Sequence, residues 1–596
     1  MTTIDQLLAQ GIQHHRDGQL AEAVAVLYRA HTLEPTSVEV LFTLGGALAS
    51  LHRLEDALAC FRRVLDLDPR HPAAPTHIGA ALRGLGRHDE ATPFFEQATE
   101  TAPDQPENWG NLAIVYKDQS RLEEARACYQ RAWEVSRDPL MLLKRTLALP
   151  VITRSRDHIR EVRQTFLDGV RNFREAGHAI ADPLRQVGQT SFLLAYHGLD
   201  NRPLHEAVAG MYAQACPSLT WVAPHCQTGA APAHRQDGRR RLGFISEHFS
   251  LHTIGQLNHG LISRLPKERF HITVITPPRP PDRLRNIILK AADTVVEVPP
   301  NDLAQARHRI AAEELDLLYY TDLGMRPFTY FLAFARLAPV QTLTWGHPDT
   351  TGIPALDYFL SCDAQEPATG ADHYSETLAR LPGPTLYYPR PAFDGLKSRV
   401  ELGLPEDATI YVCPQSLFKI HPDFDRVLVE ILRRDPRGLL AFVRGGHPHP
   451  WHQLHERLAR RAPDVAERIV AVPPMSTRDF VALMAASDVM LDPLHYSGGN
   501  TSLEALSQGV PIVTWPGVFM RGRHTHGWYR LMGIDDLVAR DWEHYIDLAV
   551  RLGTDADWRH HLHQRILAAN GALFEHADSV TAIADFLEGA VRRTGR

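Results

Sequence analysis

Apolar residues return every 34 positions between residues 4 and 137. Leu27, Phe61, Phe95 and Tyr129 hold a large position, and Ala30, Val64, Ala98 and Ala132 the next small one. Gly11, Gly45 and Gly79 repeat in phase, with Ala113 continuing the series, as do Ala23, Ala57, Ala91 and Ala125. Pro35, Pro69 and Pro103 punctuate the chain at the same interval. This spacing predicts antiparallel helix pairs. Small residues let two helices approach, the large side chain plugs the gap, and proline ends the second helix. Residues 140–230 keep helical patterning but lose the period, so they read as a connector capping the array, followed by a polar linker at 231–240.

After Arg240 short β-type runs alternate with helical stretches. Runs at 241–246, 270–276, 315–320, 340–345 and 356–361 form one series. Runs at 408–413, 438–443, 468–472, 488–492 and 510–515 form a second. Strand–helix alternation predicts parallel, doubly wound sheets. Two such series predict facing Rossmann-like halves, with a ligand in the crevice at the strands' carboxyl ends. The expected organisation is an α-helical repeat superhelix over 1–139 and a connector with linker over 140–239. A first α/β half over 240–395 and a second over 396–596, with terminal helices, complete it.

Composition narrows the function classes. The formal net charge of −7 argues against a nucleic-acid binder working by bulk charge. No apolar stretch approaches the ~20 residues of a membrane helix, and the opening MTTIDQLLAQ lacks a signal-peptide pattern. The six cysteines include no CxxC pair, and the 33 histidines include no HExxH. The chain is expected to be reduced and cytoplasmic, with no metal and no cofactor. The absence of GxGxxG after the first strand and of GxxxxGK[ST] counts against a dehydrogenase and a P-loop ATPase.

Candidate chemistry gathers at the predicted strand ends. In LDPLHYSGGNTSLEALSQ, Gly498 and Gly499 precede a helix opened by Asn500, Thr501 and Ser502. A helix start offers free N–H groups and a positive dipole end to an anion. Glu504, placed in the first helical turn, can accept hydrogen bonds from a ribose. The same N-T-S string is also ordinary capping chemistry. Lys419 lies in the loop after the first strand of the second half, with Pro422 expected in the first turn of the next helix. Arg521 and Arg523 follow another strand, and Lys419, Arg523 and the Gly-Gly turn are expected to converge at one sheet edge. In the first half His248 and His252 occupy the first strand-to-helix loop, suited to acid–base work. Asp322 ends another strand, and WGHPDTTG, 345–352, supplies a loop at a third.

The 34-residue unit resembles the tetratricopeptide repeat, with Trp109 and Tyr116 adding its aromatic positions in the fourth copy. The segments RLGFISEHFSLHT, LAPVQTLTWGHPDTTGIPALDYFLSCDAQ, SLFKIHPD and DVMLDPLHYSGGNTSLEALSQGVPIVTWPG resemble the catalytic region of the O-GlcNAc transferase/SPINDLY-like glycosyltransferases, family 41. The resemblance covers about residues 240–575 and implies a GT-B fold, an inverting mechanism without metal, and a nucleotide-sugar donor. It assigns His252 to the active-site histidine and Lys419 to the lysine that stabilises the leaving diphosphate, with Asp322 a further catalytic candidate. It assigns Thr501, Ser502 and Glu504 to the donor, and Ser416, Gly498, Gly499, Asn500 and Arg523 complete the candidate donor contacts. Phe480 stands where many relatives carry a histidine that stacks on uracil, and the GGNTSLE loop also departs from the best-known members. Nucleotide and sugar are therefore open between a UDP-GlcNAc-type donor and the CMP-nonulosonic acid attributed to some flagellin-modifying relatives.

The leading expectation is a protein O-glycosyltransferase whose repeats recruit the acceptor, with flagellin one candidate. A non-catalytic repeat adaptor with a nucleotide-binding half is the alternative. The readings predict a nucleotide-sugar substrate, a protein partner, and neither nucleic acid nor membrane. Oligomeric state is left open.

Overall fold

The computed structural model describes residues 3–229 and 237–594. The chain divides into two units, Met1–Pro150 and Val151–Arg596. Residues 140–239 fall on both sides of that division, and most of the expected 231–240 linker lies outside the described residues.

In the first unit, helices pair from Ile4–Arg16 with Leu20–Leu33 through to Pro106–Asp118 with Leu122–Ser136, and Pro139–Leu147 follows. The repeat's small and large positions meet as the pattern requires. A Cβ on Gly45 would stand 2.7 Å from the Phe61 ring, and one on Gly79 would stand 2.8 Å from Phe95. Both rings are fully buried. Glycine here is a matter of space between helices rather than of backbone freedom. In the first three pairs the second helix ends at Leu33, Leu67 and Thr101, with the proline two residues beyond.

The second unit begins with helices Arg156–Glu175 and Arg202–Ala215, which pack on each other. Two parallel sheets follow. The first contains β1 Arg240–Ile245, β2 Phe270–Thr276, β3 Thr294–Glu297, β4 Leu317–Tyr320, β5 Val340–Thr344, β6 Tyr358–Cys362 and β7 Thr377–Leu381, in the order β3-β2-β1-β4-β5-β6-β7. The second contains β8 Thr409–Cys413, β9 Gly438–Val443, β10 Ile469–Val472, β11 Val489–Leu491 and β12 Ile512–Val513, in the order β10-β9-β8-β11-β12. Every ladder is parallel, with β1 and β8 inside their sheets. The chain is thus a helical repeat array followed by a two-sheet α/β region of the GT-B kind.

The pattern missed β3 and β7, and both are edge strands. Such strands carry exposed polar positions that blur the apolar signal, as TVVE and TLARL do. The last helix, Ala577–Arg593, returns to the first sheet. Val580, Ile583, Leu587 and Val591 join Leu242, Phe244, Ile272 and Val274 in one core, and Arg269 clamps Asp585 and Glu588 at 2.8 and 2.9 Å. The C-terminal segment therefore belongs structurally to the first half.

Candidate active site

The donor-side half of the site starts with Asp492, directly after β11. It is buried, and its carboxylate accepts from Ser497 Oγ at 2.6 Å, the Gly498 N–H at 2.8 Å and Thr514 Oγ1 at 2.7 Å. These bonds pin the turn that enters the helix Asn500–Ser507. A Cβ on Gly498 would sit 2.7 Å from Gln415 Nε2, and one on Gly499 would sit 3.3 Å from the Trp345 ring. Both glycines are required by close approach, from β8's loop on one side and β5's end on the other.

Lys419 lies in the short 3-10 turn Leu417–Lys419, capped through the exposed Ser416, whose carbonyl accepts the Lys419 N–H. Its ammonium donates to Gln415 Oε1 at 2.7 Å and stands 4.8 Å over the Tyr496 ring. Burial lowers its pKa from 10.5 to about 8, with Asp492 opposing the fall. Gln415 Nε2 is buried without a hydrogen-bond partner among the described residues. An ammonium and an orphaned amide donor thus stand beside a glycine turn at a helix start, an arrangement suited to an anion. Gln415 was missed in the sequence; its position two residues past β8, in the loop that holds Lys419, was the available signal.

Several expected donor contacts have other partners. Asn500 accepts from Tyr388 Oη at 2.6 Å and donates to Gln256 Oε1 at 3.2 Å, so its side chain bridges the halves. Ser502 is fully buried and shares its hydroxyl with Thr525 Oγ1 at 2.8 Å. Thr501 remains half-exposed at the helix start. Glu504 falls beyond the first turn of its helix rather than within it, and burial raises its carboxyl to about 7. Arg523 does not pair with the Lys419 loop: its guanidinium donates to the Gln365 and Gly517 carbonyls, both at 3.0 Å, tying the halves together. Arg521 is buried against Asp349 at 3.2 Å and the Leu199 carbonyl at 2.6 Å. Pro422 precedes the helix Phe424–Arg434 and its N-cap Asp423, so it lies outside the first turn. Phe480 is half-buried on the helix Thr477–Ala486, which packs against Asn500–Ser507.

The facing half contributes the loop after β1. His252 caps the helix Thr253–Arg264, its Nδ1 accepting the Ile254 N–H at 3.1 Å. Gln256, in the same helix, meets Asn500, so the two helix starts face each other across the crevice. His248 stacks on His252 with ring centroids 4.0 Å apart. Burial and the neighbouring imidazole hold His248 down at about 3. Asp322, fully buried after β4, lies 3.9 Å from His248 Nε2, and burial raises it to about 7. Among the described residues, neither His248 Nε2 nor Asp322 Oδ2 has a hydrogen-bond partner. In the loop after β5, Asp349 takes hydrogen bonds from Asn201 at 2.6 Å and His205 at 3.3 Å besides Arg521, locking the connector to both halves.

Among the described residues one cluster has metal-ligand side chains, His421, Asp423 and His495. Arg156 engages both Asp423 carboxylate oxygens, and His421 Nδ1 accepts the Asp423 N–H at 3.1 Å. A guanidinium already neutralises the carboxylate, so the set is poor for a cation.

Both parts of the chain match known protein families. Residues 201–388 and 391–581 match glycosyl transferase family 41, and residues 14–74 and 82–145 match the tetratricopeptide repeat. The chain is 23% identical over 330 residues to the "Probable UDP-N-acetylglucosamine--peptide N-acetylglucosaminyltransferase SPINDLY" of Petunia hybrida, covering 54% of this chain and 35% of that protein. It is 25% identical over 261 residues to the UDP-glucose:protein N-beta-glucosyltransferase of Actinobacillus pleuropneumoniae, covering 43% of this chain and 41% of that protein. The chain thus spans well under half the length of these curated relatives. A mutant O-GlcNAc transferase of Thermobaculum terrenum shares the fold, with a TM-score of 0.60 and 24% identity over 99% of this chain and 97% of that one. No described helix is long and apolar enough to cross a membrane.

Proposed function

The chain belongs to glycosyl transferase family 41, and from that membership we propose that it moves a sugar from a nucleotide-sugar donor to a Ser or Thr hydroxyl of a protein held by its N-terminal repeats. The observation that carries this reading is the Lys419 ammonium beside the unpartnered Gln415 amide, at the Gly498-Gly499 turn. As the acceptor oxygen bonds to the anomeric carbon and the sugar–phosphate bond breaks, negative charge grows on the leaving oxygen. Fixed donors in a half-buried pocket stabilise that charge without reorganising. Lys419, Gln415 and the helix start supply them, so no step needs a metal.

His252 takes a narrower role than a general base. Its Nδ1 accepts the Ile254 N–H, so the neutral ring carries its proton on Nε2. Nε2 is then a donor that holds the acceptor or the sugar. The acceptor hydroxyl's proton leaves as its oxygen bonds to the sugar, and Asp322, raised to about 7 and 3.9 Å from His248 Nε2, is the carboxyl suited to receive it by way of the His248 ring.

The proposed donor is a UDP-sugar. A diphosphate uses both the Lys419–Gln415 pair and the helix start, whereas a CMP-linked sugar offers a single phosphate. Phe480 supports base stacking, and Glu504 supports a ribose contact. Titration calorimetry with UDP and CMP tests this directly: the reading expects UDP to bind, and binding of CMP alone would overturn it.

A further inference from the structure

A cavity of about 420 Å³ opens on the second α/β half, with Arg156, Asp423 and His495 in its wall. Gln415, Lys419 and Gly498–Ser502 do not line it. Its walls come from the starts of helices Arg156–Glu175, Phe424–Arg434 and Trp542–Thr554 and the end of His449–Arg461, together with Leu494, His495 and Trp515.

The charges in this cavity do not cancel. Asp423 is matched by Arg156 and by His495 Nε2 at 2.9 Å. Asp425 is matched by Arg457, which reaches both its oxygens at 2.7 and 2.9 Å from outside the lining. Three lining guanidiniums remain, Arg154, Arg426 and Arg461, and none makes an ion pair or side-chain hydrogen bond among the described residues, although Arg461 adds its field to Arg457's at Asp425. Arg426 lies flat on Trp542, its guanidinium carbon 3.4 Å from the ring centroid. Stacking holds the plane still and leaves the N–H edge for an acceptor lying in it. Three helix starts turn positive dipole ends to the same space, against the one negative end of the helix His449–Arg461 that brings Arg461.

We propose that this cavity is a second anion site, taking a compact polyanion of the phosphate class. Guanidinium forks match phosphate oxygens bidentately. The volume falls in the range of small-molecule sites, about 300–1,000 Å³. A concave pocket of this size favours a small molecule over an extended nucleic acid or a membrane surface.

The test is calorimetry on the full chain with inorganic pyrophosphate, which fits both this cavity and the donor site. Wild type is expected to show two classes of site. Arg154 and Arg461 are exposed, so Arg154→Ser with Arg461→Ser should leave the fold intact, checked by an unchanged melting temperature. That variant should bind at one class at least ~10-fold more weakly, since a charged hydrogen-bond donor is removed at each of two positions. Lys419→Met should weaken the other class and spare this one. Arg461→Ser alone serves if the double variant unfolds, with a smaller loss in the same class. Trp542→Phe should remove a fluorescence change caused by pyrophosphate. A double-variant isotherm superimposable on wild type, or loss of all pyrophosphate binding with Lys419→Met, overturns the proposal.

Discussion

Replacing Lys419 with methionine keeps an unbranched side chain of similar length and removes the charge that stands over Tyr496. A unit charge about 4 Å from the leaving oxygen, at an effective dielectric of about 20, contributes about 4 kcal/mol. Losing one preorganised donor of this kind costs about 10²–10³ in rate, about 2.7–4 kcal/mol, so the two figures agree. Because the charge on the leaving oxygen grows as the bond breaks, the loss should fall on kcat more than on donor affinity. Stability should move the opposite way. Burial lowers the ammonium from 10.5 to about 8, a penalty of about 3 kcal/mol that partial exposure reduces to about 1–2 kcal/mol. The unfolded chain binds more protons between those values, so wild-type stability should rise as pH rises from about 8 towards 10.5, and Lys419→Met should lack that rise. Single-turnover kinetics beside melting curves at pH 7 and 9 read both effects. A variant with wild-type turnover, or one that loses turnover only as it loses its fold, refutes the assignment.

Activity should survive EDTA, measured by donor turnover with metal-free buffers; near-total loss restored by one divalent ion would mean the leaving-group machinery is misread. Removing the repeats should leave nucleotide binding intact and abolish modification of a whole acceptor protein. The cut belongs at residue 150, because the helices Arg156–Glu175 and Arg202–Ala215 are part of the second unit; unchanged rates for 151–596 would end the recruitment idea. Glu504 titrates at about 7 against an ordinary 4.5, so its contribution to stability is present at low pH and lost as pH rises through about 7. Glu504→Gln should flatten that decline and weaken nucleotide binding chiefly above pH 7, and matching pH profiles for the two proteins would remove Glu504 from the ribose site.

The legible parts of this chain are those where one residue type answers one local demand. Gly45 against Phe61 could be read because the same contact is repeated every 34 residues. Gly498 and Gly499 could be read because a helix start followed a strand. Side-chain allegiance was not legible, since it is settled by residues far away in sequence. Asn500 is taken by Tyr388 and Gln256, Arg523 by Gln365, and Ser502 by Thr525. Gln415 was overlooked because a neutral amide in a loop carries no charge signal, although its lone donor atom becomes conspicuous once Lys419 occupies its oxygen. The edge strands β3 and β7 escaped for the complementary reason that their polar positions serve solvent rather than a core.

Intact mass of a candidate acceptor, flagellin included, co-expressed with this chain or with its Lys419→Met variant, tests the central claim most directly. The account predicts a mass increase of whole sugar residues with wild type, removed when the acceptor's modified Ser or Thr is replaced, and absent with Lys419→Met. Equal sugar mass on the acceptor with the variant, or UDP binding by the chain without any sugar transfer to protein, would contradict it.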